Sequence, residues 1–395
     1  MRLIFISREQ YPHGGAASNR HMAFAKGLLE LGHQVVFVLL ERQSSYGDDF
    51  VYQDIHFKSA CTQIKNSQRT LPSGKVFSYF RLIQNARQII FSSSEKEKFD
   101  ATIILSRWNK DIIPFLLISR SLKMKAVHER TEYPFIHCKK TIIGKLSLAI
   151  NLNLLIPRFD GLVVINHVLE KYFRKYVDAS KPIKIINMIV DPSRFKRSDH
   201  KRIFNYLYIA YCGTLNDKKD GVDILIKAYL QALSKRKIPT SIKLVLIGEY
   251  EENNFRDTLV HLIENSGYSD NIVFTGKISR DDMPGYLCHA EALLLARPSS
   301  KQAEGGFPTK LGEYLATGKP VILTNTGEVG YFLKDGINAF IAEPGSIESF
   351  ASRIELVFSD YEMALEVGKN GELLVQKEFN YFQEALKLEK FIEEL

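Results

Sequence analysis

Cysteine is scarce in this chain. Its four cysteines, Cys61, Cys138, Cys212 and Cys288, are far apart and form no C-x-x-C pair. That spacing excludes a disulfide framework and a cysteine zinc site, and it suits a reducing compartment. Neither H-E-x-x-H nor an aspartate cluster of metal-binding spacing occurs, so no metal is expected. The dinucleotide fingerprint G-x-G-x-x-G is missing, which counts against a nicotinamide dehydrogenase. No run of 18 apolar residues exists, so no bilayer-spanning helix is expected. The opening M-R-L-I-F-I-S is too short for a signal peptide and reads as a first strand. A basic low-complexity tail and recognisable nucleic-acid motifs are also absent, so nucleic acid is not an expected partner.

What is present is the composition of a globular enzyme: 395 residues, 45% hydrophobic, 25% charged, net charge +8. The excess of base points to an anionic partner, such as a phosphorylated substrate or an anionic membrane. Residues 139–158, K-K-T-I-I-G-K-L-S-L-A-I-N-L-N-L-L-I-P-R, are apolar with basic ends. They fit a membrane-surface segment or a helix packed on a sheet, and the poor amphipathic period favours the packed helix. A cytoplasmic location, peripheral on the inner membrane face, follows as an expectation.

Strand and helix signals alternate along the chain. Strands are expected at 2–7, 34–40, 101–105, 125–128, 161–165 and 183–186, with helices at 17–31 and 169–176. The series restarts with strands at 208–212, 243–247, 272–275, 292–295 and 320–324, and with helices at 222–234, 254–266, 280–289 and 347–358. This alternation predicts an α/β protein of two Rossmann-like, doubly wound domains facing across a cleft. The boundaries are 1–190 for the N-terminal domain and 191–375 for the C-terminal one. Residues 376–395 form a C-terminal helix expected to pack back on the first domain. The linker is placed at 187–205.

The most telling stretch is 296–322, A-R-P-S-S-K-Q-A-E-G-G-F-P-T-K-L-G-E-Y-L-A-T-G-K-P-V-I. An apolar strand ends there, a polar loop follows, and a helix starts near Thr309 and stops at Gly318 before Pro320. A helix start beneath a glycine-rich loop offers free N–H groups and a positive dipole end to an anion. Lys310 in the first turn is poor for helix stability and good for holding phosphate. Glu313, one turn on and on the same face, is placed to accept hydrogen bonds from a ribose. Arg297, just past the strand, can neutralise phosphate charge. Gly213 closes the first strand of the second half, and Lys219 near the next helix start can reach a diphosphate. Asp217, Asp220 and Asp223 beside it read as N-terminal helix acids. In the first half, Gly14 and Gly15 precede a helix. His128, Glu129 and Glu132 in V-H-E-R-T-E-Y-P are read as lying beyond a strand end, where His128 or Glu132 can act as base or bind substrate hydroxyls.

With these residues assembled, the chain resembles the glycosyltransferase family 4 (group 1) enzymes, retaining transferases of the GT-B fold. Four features carry the resemblance: G-G-A-A-S-N-R, G-T-L-N-D-K-K-D-G-V-D-I-L-I, N-I-V-F-T-G-K-I and E-G-G-F-P-T-K-L-G-E-Y-L-A-T-G-K-P-V-I. It implies a UDP- or GDP-type sugar donor bound by the second domain, a glycan or lipid-linked acceptor, and no cofactor or metal. Glu313 matches the second acid of the family's E-x7-E element and Lys219 the family lysine at the diphosphate. Gly276, Lys277 and Ile278 should flank the base. Two departures stand out. The first acid should fall on Gly305, whereas Glu304 is one residue early; either Glu304 serves, or the backbone of Gly306 and Phe307, ahead of Pro308 and Thr309, replaces it. The family arginine after Gly213 is Thr214 here, with Arg297 as the substitute. A nucleotide-sugar epimerase or hydrolase, or a non-catalytic sugar-nucleotide binder, are the rival expectations on this fold.

Overall fold

Every residue of the strands Ala101–Ile104, Gly161–Val164, Tyr208–Cys212 and Ala292–Leu295 is buried. Continuous burial of that kind belongs to parallel sheets covered by helices on both faces. The computed structural model describes residues 1–43, 46–61, 72–216, 219–250 and 253–395. The chain divides into two units, Met1–Asn187 with Tyr381–Leu395, and Met188–Asn380.

The first unit runs β1 (Arg2–Ser7), α1 (Ala16–Glu30), β2 (Gln34–Leu39), β3 (Asp49–Tyr52), β4 (Ile55–Ser59), α2 (Pro72–Lys96) and β5 (Ala101–Ile104). It continues with α3 (Asn109–Ser121), β6 (Lys125–Arg130), α4 (Ile142–Ile150), β7 (Gly161–Val164), α5 (His167–Phe173) and β8 (Ile183–Ile185). The strands form one sheet in the order β3-β4-β2-β1-β5-β6-β7-β8. All its pairings are parallel except β3 with β4. The β3–β4 hairpin and α2 fill the stretch between 41 and 100, where the sequence pattern alone assigned nothing.

The second unit runs β9 (Tyr208–Cys212), α6 (Val222–Ser234), β10 (Lys243–Ile247), α7 (Asn253–Glu264), β11 (Ile272–Gly276), α8 (Met283–Cys288) and β12 (Ala292–Leu295). Then come α9 (Lys301–Gly305), α10 (Thr309–Ala316), β13 (Val321–Thr324), α11 (Val329–Phe332), β14 (Phe340–Ala342), α12 (Ile347–Ser359) and α13 (Tyr361–Glu378). Its parallel sheet has the order β11-β10-β9-β12-β13-β14. Counted from β9 this is 3-2-1-4-5-6, the doubly wound order whose direction reverses between strands 1 and 4.

The last helix, α14 (Tyr381–Glu393), returns to the first unit and lies on α1. The two helices approach so closely that a Cβ on Gly27 would stand 2.5 Å from the Ala385 methyl. Leu388, Phe391 and Ile392 are buried. His33 pairs with Glu389 at 2.6 Å, and Glu384 accepts the Asn187 N–H at 3.0 Å.

Three expectations need correction. Residues 187–205 are not merely a linker. The turn Pro192–Phe195 buries Phe195, whose carbonyl accepts from Cys288, and Met188 sulfur receives the Gly312 N–H. β6 runs through Arg130 rather than ending at 128, because Val127–Arg130 pair along Gly161–Val164. Finally, residues 139–158 do not pack as a single helix: α4 has no buried residue, whereas Asn151, Leu152, Leu155 and Ile156 beyond it are buried. Among the described residues no helix is long and apolar enough to cross a membrane.

Candidate functional site

In a doubly wound sheet the ligand crevice opens at the carboxyl ends of the strands, where the winding reverses. In the second unit this is the space beyond β9 and β12. Gly213 follows β9, and Ala296–Arg297 follows β12. The neighbouring strand ends are tied by backbone bonds: Gly213 N–H to the Ile247 carbonyl at 2.9 Å, and Gly248 N–H to the Gly276 carbonyl at 3.0 Å. Gly276, Lys277 and Ile278 therefore sit at the same edge of the sheet as Gly213. Lys277 is exposed and Ile278 half-buried.

The helix α10 is fixed beneath this edge by its apolar side. Leu311, Tyr314 and Leu315 are fully buried. The Tyr314 hydroxyl accepts the Cys212 N–H at 2.6 Å, which pins the helix to the end of β9. Gly318, with φ of +66°, ends the helix in the left-handed conformation expected of that stop. Pro308 precedes the first turn with no side-chain cap, so the leading N–H groups of Thr309 and Lys310 lack a capping side chain.

Lys310 and Glu313 leave this helix toward separate partners. The Lys310 ammonium donates to Asp220 at 2.6 Å and to the Tyr211 hydroxyl at 3.0 Å. Tyr211 donates to Asp220 at 2.7 Å. Burial alone would raise the Asp220 carboxyl; Lys310, Tyr211 and Arg297 outweigh it and hold the pKa below the ordinary value. Asp220 does stand at the start of α6, as read from the sequence, and it is also a buried ion-pair partner. Asp217, read the same way, lies outside the described residues. The Lys310 ammonium occupies the space beside Gly213: a Cβ there would stand 2.0 Å from its Nζ, and the Gly213 φ of +149° is itself one that side chains rarely adopt. Glycine is required at 213 on both counts.

Glu313 is 20% exposed, with an Arg194 nitrogen 3.7 Å from its carboxylate. Burial raises its pKa despite Arg194, Arg280 and Lys310 nearby. Arg194 was not singled out from the sequence because D-P-S-R-F reads as linker; only the fold brings it to α10. Lys219 is exposed, and its N–H is anchored on the Asn216 side chain at 2.9 Å. Thr214 is exposed, and its carbonyl accepts from Tyr211 at 2.9 Å. Gly221 starts α6 in the left-handed region, and a Cβ there would lie 2.1 Å from the Ala296 carbonyl. That close approach sets the Lys219–Asp220 turn directly against the end of β12. Arg297 is 4% exposed and close enough to Asp220 to help keep it ionised.

The stretch ahead of α10 differs from the expected loop. Ser300 caps α9 by accepting the Ala303 N–H at 3.1 Å. Glu304 lies on this helix and pairs with Lys301 at 2.6 Å. Gly305 and Gly306 are buried, and Phe307 packs its ring on Phe332 and Phe379. Glu304 therefore stands on a turn of helix rather than on a bulged loop.

In the first unit the structure overturns one expectation. His128 does not lie past a strand end. It is inside β6, fully buried, stacked on Phe159 with ring centroids 4.6 Å apart. Its Nδ1 donates to the Ile104 carbonyl at 2.7 Å. Burial, aided by Arg130, lowers its pKa to about 3, so the ring is neutral and enclosed. Glu129 is likewise internal. It accepts from Arg20 at 2.7 Å and from His21 at 2.9 Å, and His21 meets the Tyr11 hydroxyl at 2.7 Å. Burial would raise Glu129, but Arg20 and His21 bring it down to about 2. Arg20 also donates to the carbonyls of Ile186 and Asn187. This buried chain was illegible in the sequence, since arginine and histidine on an amphipathic helix read as surface residues. Glu132 lies beyond β6 and pairs with His137 at 2.5 Å. Gly15 begins α1, and Ser18 folds the Gly14 loop back by donating to the Gln10 carbonyl at 2.7 Å.

Comparison with known proteins agrees with this geometry. Residues 193–374 match the profile of the glycosyl transferases group 1. A GDP-mannose-dependent alpha-(1-6)-phosphatidylinositol monomannoside mannosyltransferase of Mycobacterium tuberculosis is 26% identical over 178 residues, 44% of each chain. The capsular polysaccharide biosynthesis glycosyltransferase CapM of Staphylococcus aureus is 26% identical over 203 residues, 51% of this chain and 50% of that one. The chain spans about half the length of these curated relatives. The structure of Anabaena HepE in complex with UDP and glucose matches over 100% of both chains, with a TM-score of 0.75 at 17% identity. The chain has the GT-B fold, and its residues 193–374 are similar to the glycosyl transferases group 1.

Proposed function

We propose that this protein is a retaining glycosyltransferase. It moves a hexosyl or related sugar from a UDP- or GDP-type donor to a glycan or lipid-linked acceptor in cell-surface polysaccharide synthesis. The observation that carries this reading is the reversal point of the second sheet. There the ends of β9 and β12 set Gly213 and Arg297 side by side, over the start of α10, which bears Glu313. Relatives named for mannosyl transfer to a lipid-linked inositol and for capsule synthesis support the acceptor class. HepE, a structural relative seen with UDP and glucose, supports the donor class.

In this reading the second unit binds the donor and the first the acceptor. The base lies along Gly276–Ile278, and the ribose hydroxyls bond the Glu313 carboxylate, which Arg194 beside it helps keep ionised. The diphosphate lies over Gly213 and the N-terminus of α10. Lys219 and Arg297 oppose the negative charge that grows on the leaving diphosphate. Groups fixed in place before the reaction cost no reorganisation as that charge develops. These cations take the role a divalent metal plays elsewhere, so no metal is required. Glu304, held by Lys301 on α9, is left for the donor sugar, and Glu132 for the acceptor. His128, enclosed in β6, has no part in it.

Thermal unfolding in the presence of UDP, GDP and their sugars tests the donor. A ligand at 100 times its dissociation constant stabilises by about 2.7 kcal/mol. Lys219→Ala and Arg297→Ala should each lower kcat by about 10²-fold, as loss of one charge-stabilising group does. Turnover should persist in EDTA, and NMR of the product should show the donor's anomeric configuration. Stabilisation by none of these nucleotides, or donor consumption that is indifferent to acceptor, overturns the assignment.

A further inference from the structure

We propose that the first unit docks on an anionic lipid bilayer through α4 and the adjoining side of α3. The proposal rests on exposure and charge in that unit and is independent of the reaction assigned to the protein.

The helix α4 is unusual for its composition. Ile142 and Ile143 are 86% and 81% exposed, and Leu146 is 60% exposed. These positions are one turn apart, so they form one face. The chain then continues to Leu154, which is 50% exposed, while Leu152 and Leu155 turn inward and are buried. Helix α3 lies alongside. Asn109 donates to the Ser147 carbonyl at 2.7 Å and accepts from Asn151 at 2.7 Å, and at the other end Arg120 meets the Arg158 carbonyl. Between those ties α3 presents Ile113 and Leu117, one turn apart, at 44% and 61% exposure. Aliphatic side chains that open to water, collected on two neighbouring helices, mark an interaction surface rather than scattered surface residues.

The charge around this face selects the occupant. Lys139, Lys140 and Lys145 are all exposed and stand at the start of α4. From residue 133 to residue 159 the sequence contains no aspartate or glutamate. On α3 the acid Asp111 is buried in a pair with Arg8 at 2.6 Å, so it does not offset Lys110 and Arg120. An apolar stripe bordered by lysines and free of carboxylates matches the interface of a bilayer with anionic headgroups. The aliphatic chains enter the acyl boundary, and the ammonium groups remain among phosphates. A protein partner would need its own matching apolar patch; a second copy of this chain would bring lysine against lysine.

Flotation of the full chain with vesicles tests the proposal. Vesicles of phosphatidylcholine with about 30% phosphatidylglycerol, against phosphatidylcholine alone, resolve the charge requirement. The wild-type chain should float with the anionic vesicles and release as salt is raised. I142S/I143S should lower the bound fraction about tenfold, with the melting temperature unchanged because neither side chain is buried. K139E/K140E should lower binding to anionic vesicles by more than the fivefold expected per lysine removed, and leave the weak binding to neutral vesicles unaltered. Failure of the wild type to float, equal flotation of I142S/I143S, or a concentration-dependent dimer abolished by I142S/I143S without any flotation would each overturn it.

Discussion

Replacing Lys310 by methionine removes the cation from a buried pair while preserving most of the side-chain volume. Asp220, whose side chain is 6% exposed, would then keep only the Tyr211 hydroxyl as a direct partner. Removing one member of a buried ion pair costs about 3–5 kcal/mol, since the remaining charge cannot be solvated. The lower end, about 3 kcal/mol, applies because Tyr211 still donates and Arg297 still acts on the carboxylate. For a unit of this size that corresponds to a fall in melting temperature of about 6–12 °C. Far-UV circular dichroism is the appropriate probe, since the only tryptophan, Trp108, lies in the other unit. The double variant Lys310→Met/Asp220→Leu should recover most of the loss, because an apolar pair of similar volume replaces a buried ion pair at little cost. The sign with pH also follows. The folded-state pKa of Asp220 is depressed, so its contribution is present above the unfolded value near 4 and is lost as pH falls through the folded one. The gap between wild type and Lys310→Met should therefore close on acidification below about pH 4. A Lys310→Met cost under about 1 kcal/mol at pH 7, or no recovery in the double variant, refutes the reasoning.

Two more predictions come from the other buried charges. Glu129 sits at about 2 against an unperturbed 4.5, so in wild type its contribution, about 3 kcal/mol, should disappear as pH falls from 4.5 to 2. Glu129→Gln should flatten that part of the acid-unfolding profile, and an unchanged slope would contradict the buried Arg20–Glu129–His21 chain. Arg194→Ala removes the cation beside Glu313, whose pKa is already raised by burial, and should raise it further. The expected result is a rise in donor KM that grows as pH is lowered and lessens as it is raised, read from initial rates. An equal effect at every pH would show that Arg194 acts otherwise than by keeping Glu313 ionised.

The helical and strand pattern of the second unit was readable because its central strands are continuous apolar runs and α10 stops at Gly318. Gly32 and Gly318 both adopt the left-handed conformation that closes a helix, as their positions suggested. The 41–100 region was not readable: β3 is an edge strand with half its residues exposed, and α2 shows Phe77 and Phe80 to solvent. The helix that carries Lys310 and Glu313 was legible from the sequence. Their partners were not, since Asp220 is 90 residues from Lys310 and Arg194 is 119 from Glu313. His128 and Glu129 were misplaced for a related reason. V-H-E-R alternates polar residues where a strand should end, and only the partners Ile104, Arg20 and His21 make those groups tolerable inside.

The Lys310 pairing bears on the proposed donor chemistry. A lysine in the first turn of α10 opposes the helix dipole, a cost accepted where an anion is bound. Here the anion already present is Asp220, and the ammonium is held directly beside Gly213. Lys310 and Asp220 together are close to neutral, so the pair adds little net field at the diphosphate. Its effect is to fix the Gly213–Thr214 turn, through Tyr211, and the turn carrying Lys219, through Asp220 itself. In the proposed reading the cations that oppose the diphosphate charge are Lys219 and Arg297, the latter as the substitute for the arginine that the resemblance to family 4 leaves missing at Thr214. A buried arginine at the end of β12 and an exposed lysine before α6 make a different division of labour from two cations on the β9 loop. That division is coherent only if Asp220 stays ionised and paired, so under the proposed reading Lys310→Met should weaken donor binding through the displaced turns as well as lower stability.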